Sequence, residues 1–231
     1  MFIVCSNVLR CRMTISEYLC GNSYPGRLIA AGVTPSGKLI YAYAIMGRST
    51  NSRNRVFKLE KRELRTEPYD ASLVKDPSLI IYPAILKTRD SIIVANGDQS
   101  LNIKAALEEG RKLESAIDER TFEPDEPNYT PRISLVIRDD RFEFAINRRS
   151  SDGECERKVW FYQKAEGVLH VIHTYDGDGN PLPSFSGDPK RIVSEDNYAK
   201  TLWDSLDKEN RISLYVNEGG VETLFNAREG D

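Results

Sequence analysis

Two apolar runs, Arg27–Val33 and Lys38–Met46, place the strongest constraint on how this 231-residue chain folds. Between them Pro35-Ser36-Gly37 supplies turn chemistry, because proline presets φ and glycine accepts positive φ. The pair predicts a β-hairpin. Further strands are expected at Arg55–Lys61, Ser78–Leu86, Ser91–Ala95, Arg132–Arg138, Arg141–Asn147, Lys158–Lys164, Gly167–Tyr175 and Ile212–Val216. The mixed stretch Lys58–Arg65 reads as a solvated strand face. One long helix is expected over Gln99–Ile117, where Leu101, Ile103, Ala106, Leu107, Gly110, Leu113 and Ile117 mostly keep 3-and-4 spacing. Shorter helices are expected at Thr14–Leu19, Asp196–Leu206 and Val221–Ala227. In the first of these Thr14 is the N-cap and Glu17 completes a capping box.

Strands interrupted by one long helix, followed by more strand and helix, predict a layered α+β domain. Residues 1–23 read as an N-terminal extension with a short helix, and 24–231 as a single domain. With 32 Lys+Arg against 35 Asp+Glu the net charge is −3, which argues against a nucleic-acid protein that relies on overall positive charge. No apolar run approaches the roughly 20 residues a membrane helix needs, and Met1–Cys5 is a poor secretion signal. Cys5, Cys11, Cys20 and Cys155 form no Cys-x-x-Cys pair, so reduced thiols in a cytoplasm are expected. His170 and His173 are the only histidines, too few for a His-rich metal site. Three apart on a strand, they should face opposite sides.

Three segments carry chemistry. Gly47-Arg-Ser-Thr-Asn-Ser-Arg-Asn-Arg55 places three arginines, two asparagines and two serines between apolar strands. Guanidinium forks bind phosphate in a bidentate way, and short polar side chains let backbone N–H groups approach an anion. Asn96-Gly97-Asp98-Gln99 ends a β-run and opens the long helix, with Asp98 the expected N-cap and Asn96 free to point into a site. In Asp118–Pro131, three prolines and five acids among fourteen residues make a stiff loop of the kind that positions catalytic groups on a sheet scaffold. Asp176-Gly-Asp-Gly-Asn180 imitates a calcium loop but has Pro181 where glycine is needed, and reads as a turn.

In order and spacing, Tyr24-Pro-Gly-Arg27, the Gly47–Arg55 segment, Tyr82, Asn96-Gly97 and Glu123…Asn128-Tyr-Thr-Pro-Arg-Ile133 resemble the archaeal-type IMP cyclohydrolase family. The resemblance runs from about Tyr24 to Ile133. It implies the four-layered αββα fold of N-terminal-nucleophile hydrolases, used without a self-processed nucleophile. It also implies closure of 5-formamidoimidazole-4-carboxamide ribotide to inosine 5′-monophosphate and water in purine biosynthesis, with no cofactor or metal. The chain departs from the family pattern in its 23 residues before Tyr24, in Asp98-Gln99-Ser100 after Asn-Gly, and in an extra Tyr129.

Carried over position by position, the resemblance implies Glu123 and Tyr82 as the proton-transfer pair and Arg55 as the oxyanion or carboxamide group. It implies Arg27, Arg48, Ser49, Asn54, Asn96, Asn128 and Arg132 as substrate-binding. Two of these have a plain structural alternative: Arg132 could pair with Glu126 or Asp125 to hold the loop, and Tyr82 could be a buried strand aromatic beside Ile80, Ile81 and Ile85. The expected partner is a small purine ribotide in the cytoplasm, not nucleic acid or membrane, with homo-oligomerisation left open. Two other functions stay open. One is an amidohydrolase of the same fold whose nucleophile is exposed at Cys20-Gly21. The other is a non-catalytic protein that binds purine nucleotides.

Overall fold

In the computed structural model, residues 13–61, 63–74, 77 and 80–228 are described. Helix α1 (Ile15–Cys20) starts as expected: the Thr14 hydroxyl accepts from the Glu17 amide, and the Glu17 carboxylate accepts from the Thr14 amide at 2.8 Å. Strands β1 (Arg27–Val33) and β2 (Leu39–Met46) form the expected hairpin, with Gly37 at φ +80° in its turn. A four-residue helix α2 (Thr50–Arg53) follows, then β3 (Val56–Glu60) and β4 (Glu63–Glu67), which pair with each other across Lys61. The chain continues through β5 (Tyr82–Lys87), β6 (Ile92–Ala95), α3 (Gln99–Glu108), α4 (Leu113–Ile117), β7 (Arg132–Ile137), β8 (Arg141–Arg149) and β9 (Cys155–Gln163). It ends with β10 (Val168–His173), β11 (Lys190–Val193), α5 (Tyr198–Ser205), β12 (Arg211–Glu218) and β13 (Val221–Asn226).

Two antiparallel sheets result. One has the order β11-β10-β1-β2-β12-β13 and the other β3-β4-β5-β6-β7-β8-β9. Side-chain alternation along β1 shows how they stack. Ile29, Ala31 and Val33 enter the core between the sheets, with Tyr43, Phe57, Tyr82, Leu135 and Phe144. Leu28 and Ala30 face the other way, onto Ile15 and Leu19 of α1 and Leu202 and Trp203 of α5. The second sheet likewise covers its outer face with Ile103 and Ala106 of α3 and Leu113 and Ala116 of α4. Each large apolar side chain buried in these interfaces contributes about 1.5–3 kcal/mol, so the interior positions of β1 and β2, apolar on both faces, specify the centre of a covered sheet. His170 and His173 do face opposite sides: His170 stacks on Tyr162 between the sheets, while the ring of His173 meets Tyr18 of α1.

Two expectations are corrected. Gln99–Ile117 is two helices, because Gly110 takes φ +74° and the Arg111 amide reaches back to the Ala106 carbonyl at 2.8 Å, closing α3. Val221–Ala227 is the edge strand β13 rather than a helix. Gly219 and Gly220, both at positive φ, form a tight turn that returns this segment along β12. The strand expected from Ser78 begins at Tyr82; Ser78 and Leu79 lie outside the described residues, as do residues 1–12 of the expected extension.

Candidate active site

The start of β1, the end of β2 and the loop before β7 meet at one end of the two sheets, and there they enclose a cleft of about 630 Å³. The arginine-rich segment and the proline-stiffened acidic loop converge on it. Arg48, Ser49, Asn51, Ser52 and Arg55 form one wall, and Glu123, Asp125 and Asn128 another; Arg27 rises from the sheet. The arginine-rich segment is held by its own serines. The Ser49 hydroxyl accepts the Ser52 amide at 3.1 Å and the Ser52 hydroxyl accepts the Ser49 amide at 2.9 Å, capping α2. Arg55 is 2% exposed and donates from Nε to the Ser52 carbonyl at 2.9 Å. Arg48 lies over the Tyr24 ring and pairs with Asp178.

Glu123 sits at the bottom of this charge pattern. It is 3% exposed, its backbone amide donates to the Thr130 carbonyl at 2.9 Å, and one carboxylate oxygen lies 4.0 Å from Arg27. Burial pushes its carboxyl pKa up, and Arg27 and Arg132 only partly offset this. Burial also works against the charge of Arg27, yet Glu123 and the surrounding tyrosines hold that guanidinium firmly protonated. Arg55 is pushed the other way, first by burial and then by repulsion from Arg27. The Arg27 Nε is buried without a hydrogen-bond partner, so one donor remains to be met. Three guanidinium groups against two carboxylates leave the lining with a surplus of positive charge.

Residues 24–220 match the family described as IMP cyclohydrolase-like protein. The chain belongs to that family. A protein of Methanopyrus kandleri called IMP cyclohydrolase is 31% identical over 192 residues, covering 80% of this chain and 85% of that relative. In this IMP cyclohydrolase-like chain the match begins at Tyr24, the first residue of the cleft lining.

Not every residue singled out in the sequence reaches the cleft. Arg27, Arg48, Ser49, Arg55, Glu123 and Asn128 line it, and the Asn128 side-chain carbonyl also accepts the Leu182 amide. Tyr82 stands behind them as a buried strand aromatic whose hydroxyl is 2.8 Å from that of Tyr43, within electrostatic reach of Arg27 and Arg55. Asn54 and Asn96 do not line the cleft. Asn54 clamps Asp70, donating to its carbonyl at 2.7 Å and accepting from its amide. Asn96, fully buried, donates to the Pro131 carbonyl and accepts from the Ile133 amide and the Gln99 side chain. Arg132 pairs neither with Glu126 nor with Asp125; it donates to Asp98 and Gln99, and from there its charge reaches Glu123. Asp98 is accordingly not a side-chain cap: its carboxylate is taken up by Arg132 and Arg120.

Sequence reasoning missed Tyr175, Asn180 and Leu182 as lining residues. Asn180 ends the Asp176–Asn180 turn and Leu182 follows it, and Asp178 of that turn anchors Arg48. Tyr24, at the head of the Tyr24-Pro-Gly-Arg27 motif, stacks its ring near that of Tyr175. Cys20, the exposed last residue of α1, is not part of the lining. Among the described residues no group of three His, Cys, Asp or Glu side chains gathers as a metal centre requires.

Proposed function

We propose that this chain closes 5-formamidoimidazole-4-carboxamide ribotide into inosine 5′-monophosphate and water, and that the reaction runs in the Glu123 cleft. The observation that carries the site is the convergence of Arg27, Arg48 and Arg55 on a buried carboxyl with an elevated pKa; the family and the Methanopyrus kandleri relative carry the reaction. The carboxamide nitrogen attacks the formyl carbon of the same molecule, so both reactants arrive tethered. Holding them in near-attack geometry supplies on the order of 7–11 kcal/mol in the best intramolecular cases. A new C–N bond forms as the formyl C=O opens to an alkoxide, and that oxygen then leaves as water. It takes one proton from the attacking nitrogen and one from the formamide nitrogen.

Each step falls to a group at hand. A buried carboxyl that titrates above the usual carboxylate range can both accept and return a proton, which suits Glu123. Arg55 supports the developing oxyanion, in a site where burial strengthens its field. Tyr82, linked to Tyr43, is the proton-transfer partner of Glu123. Arg27 and Arg48 take phosphate or ribose oxygens, helped by Ser49 and Asn128. Asn54, Asn96 and Arg132 hold the two loops in place. On this reading the two helix-covered sheets are the αββα scaffold of the N-terminal-nucleophile hydrolases. Residues 24–231 act as one domain, and the setting is cytoplasmic purine biosynthesis.

The test is to add the ribotide to purified protein and follow its conversion optically. The reading expects turnover far above the spontaneous rate and a large loss in both Glu123→Gln and Tyr82→Phe. Conversion no faster than the spontaneous rate would remove the function; full activity in both variants would remove the site.

A further inference from the structure

A second hollow, of about 220 Å³, lies beyond α2 from the cleft. Arg53, Lys208, Arg211 and Arg228 line it, with Glu209 the only carboxylate in the lining. Four cations against one acid is a steep imbalance for a concave surface. Like charges held together in a cavity destabilise the protein unless something answers them. Part of the charge is already occupied: Arg211 stacks on the Trp203 ring at 4.2 Å, donates to the Trp203 carbonyl and has Asp204 at 3.8 Å. The others are less committed. Arg53 reaches the Asn210 side-chain carbonyl at 3.4 Å, and the Arg228 guanidinium lies over the Tyr69 ring without an ion pair among the described residues. Lys208 and Asp204 attract one another without forming an ion pair among the described residues.

We propose that this hollow is a second anion site, taking a small phosphate-bearing group separately from the cleft. Guanidinium forks from α2 and from the turn after β13 offer bidentate geometry to a tetrahedral oxyanion, while Arg211, held on Trp203, and Lys208 add charge. The volume sets the size of the occupant. Pockets that enclose whole drug-sized ligands run from about 300 to 1,000 Å³, so this one suits a phosphoryl or diphosphoryl group rather than an entire nucleotide. The assignment is independent of what the cleft catalyses.

Trp203, beneath Arg211, is the natural reporter, and Trp160→Phe leaves it as the single tryptophan of a chain that has two. Inorganic pyrophosphate is titrated into this variant at constant ionic strength, reading Trp203 fluorescence and, independently of the indole, heat by calorimetry. The expected result is a saturable signal. The Trp203 response should weaken at least tenfold in Lys208→Ala/Arg228→Ala, whose two positions are exposed, while Arg48→Ala, which removes a phosphate contact of the cleft alone, leaves that response unchanged. No saturable Trp203 response, a response unaltered in the double variant, or a response lost in Arg48→Ala would each overturn the assignment. Unchanged far-UV circular dichroism and melting temperature would show that the double variant remains folded.

Discussion

At the scale of single residues, burial of Glu123 governs the chemistry. Its raised pKa means the acid form persists above the usual carboxylate range, and a rate that needs the carboxylate as base should rise with pH through that elevated value. Glu123→Gln should remove this limb and lower kcat by about 10²–10⁴-fold, with the melting temperature held; pH–rate profiles of both proteins check it. Asn96 gives the opposite expectation. It makes three buried hydrogen bonds across the junction that precedes α3, so Asn96→Ala should cost about 1–3 kcal/mol in denaturant unfolding, because partners are left unsatisfied. The residual enzyme should keep its KM. In sequence the two residues looked alike, each a polar residue within a family-like motif. Only the register of β6 against β7, with Ala95 opposite Ser134, turns Asn96 inward to stitch two backbones together. Long-range pairing of this kind leaves no local signature.

Elements fix where those residues sit. Gly26 precedes β1 at φ +74°, and a Cβ there would lie 2.3 Å from the Thr174 hydroxyl and 2.5 Å from the Tyr175 ring. Gly26→Ala should therefore displace the Tyr24–Arg27 corner and Tyr175 together. The expected loss is about 1–3 kcal/mol of stability and a raised KM, read by thermal melts and steady-state kinetics. Within α2, Ser49→Ala removes the acceptor for the Ser52 amide, at a cost of about 1 kcal/mol confined to that turn. KM should rise more than kcat falls, since Asn51 and Ser52 line the cleft while Glu123 stands on another loop. Elements were legible where periodicity and turn chemistry agreed, as in the β1–β2 hairpin and the capping box of α1. They were misread where apolar spacing ran through a glycine. The 3-and-4 pattern crosses Gly110 without interruption, yet Leu101 within it is 52% exposed, so part of that pattern faced water. At Val221–Ala227 the paired glycines before the segment outweighed its spacing.

For the whole molecule, two sheets face to face with helices outside were partly readable from the order of strands and helices. Which strand ends share a cleft was not, because it depends on crossovers such as β2 lying between β1 and β12. The same stacking sets the response to acid. His170 between the sheets and His173 beneath α1 are both pushed down to about 4 by burial. Their neutral forms are favoured in the fold, so this contribution is complete above the unfolded value near 6.5 and is lost as pH falls through about 4. Melting temperature should drop steeply between pH 6.5 and 4, and His170→Phe, which keeps a ring against Tyr162, should flatten that slope.

The central claim is that one cleft, built by the arginine-rich segment and the acidic loop, accepts a purine monophosphate. A crystal structure with inosine 5′-monophosphate soaked in tests this most directly. The base is expected beside Glu123 and Arg55, with the phosphate on Arg27 or Arg48. A nucleotide bound elsewhere on the molecule, leaving this cleft to solvent, would contradict it.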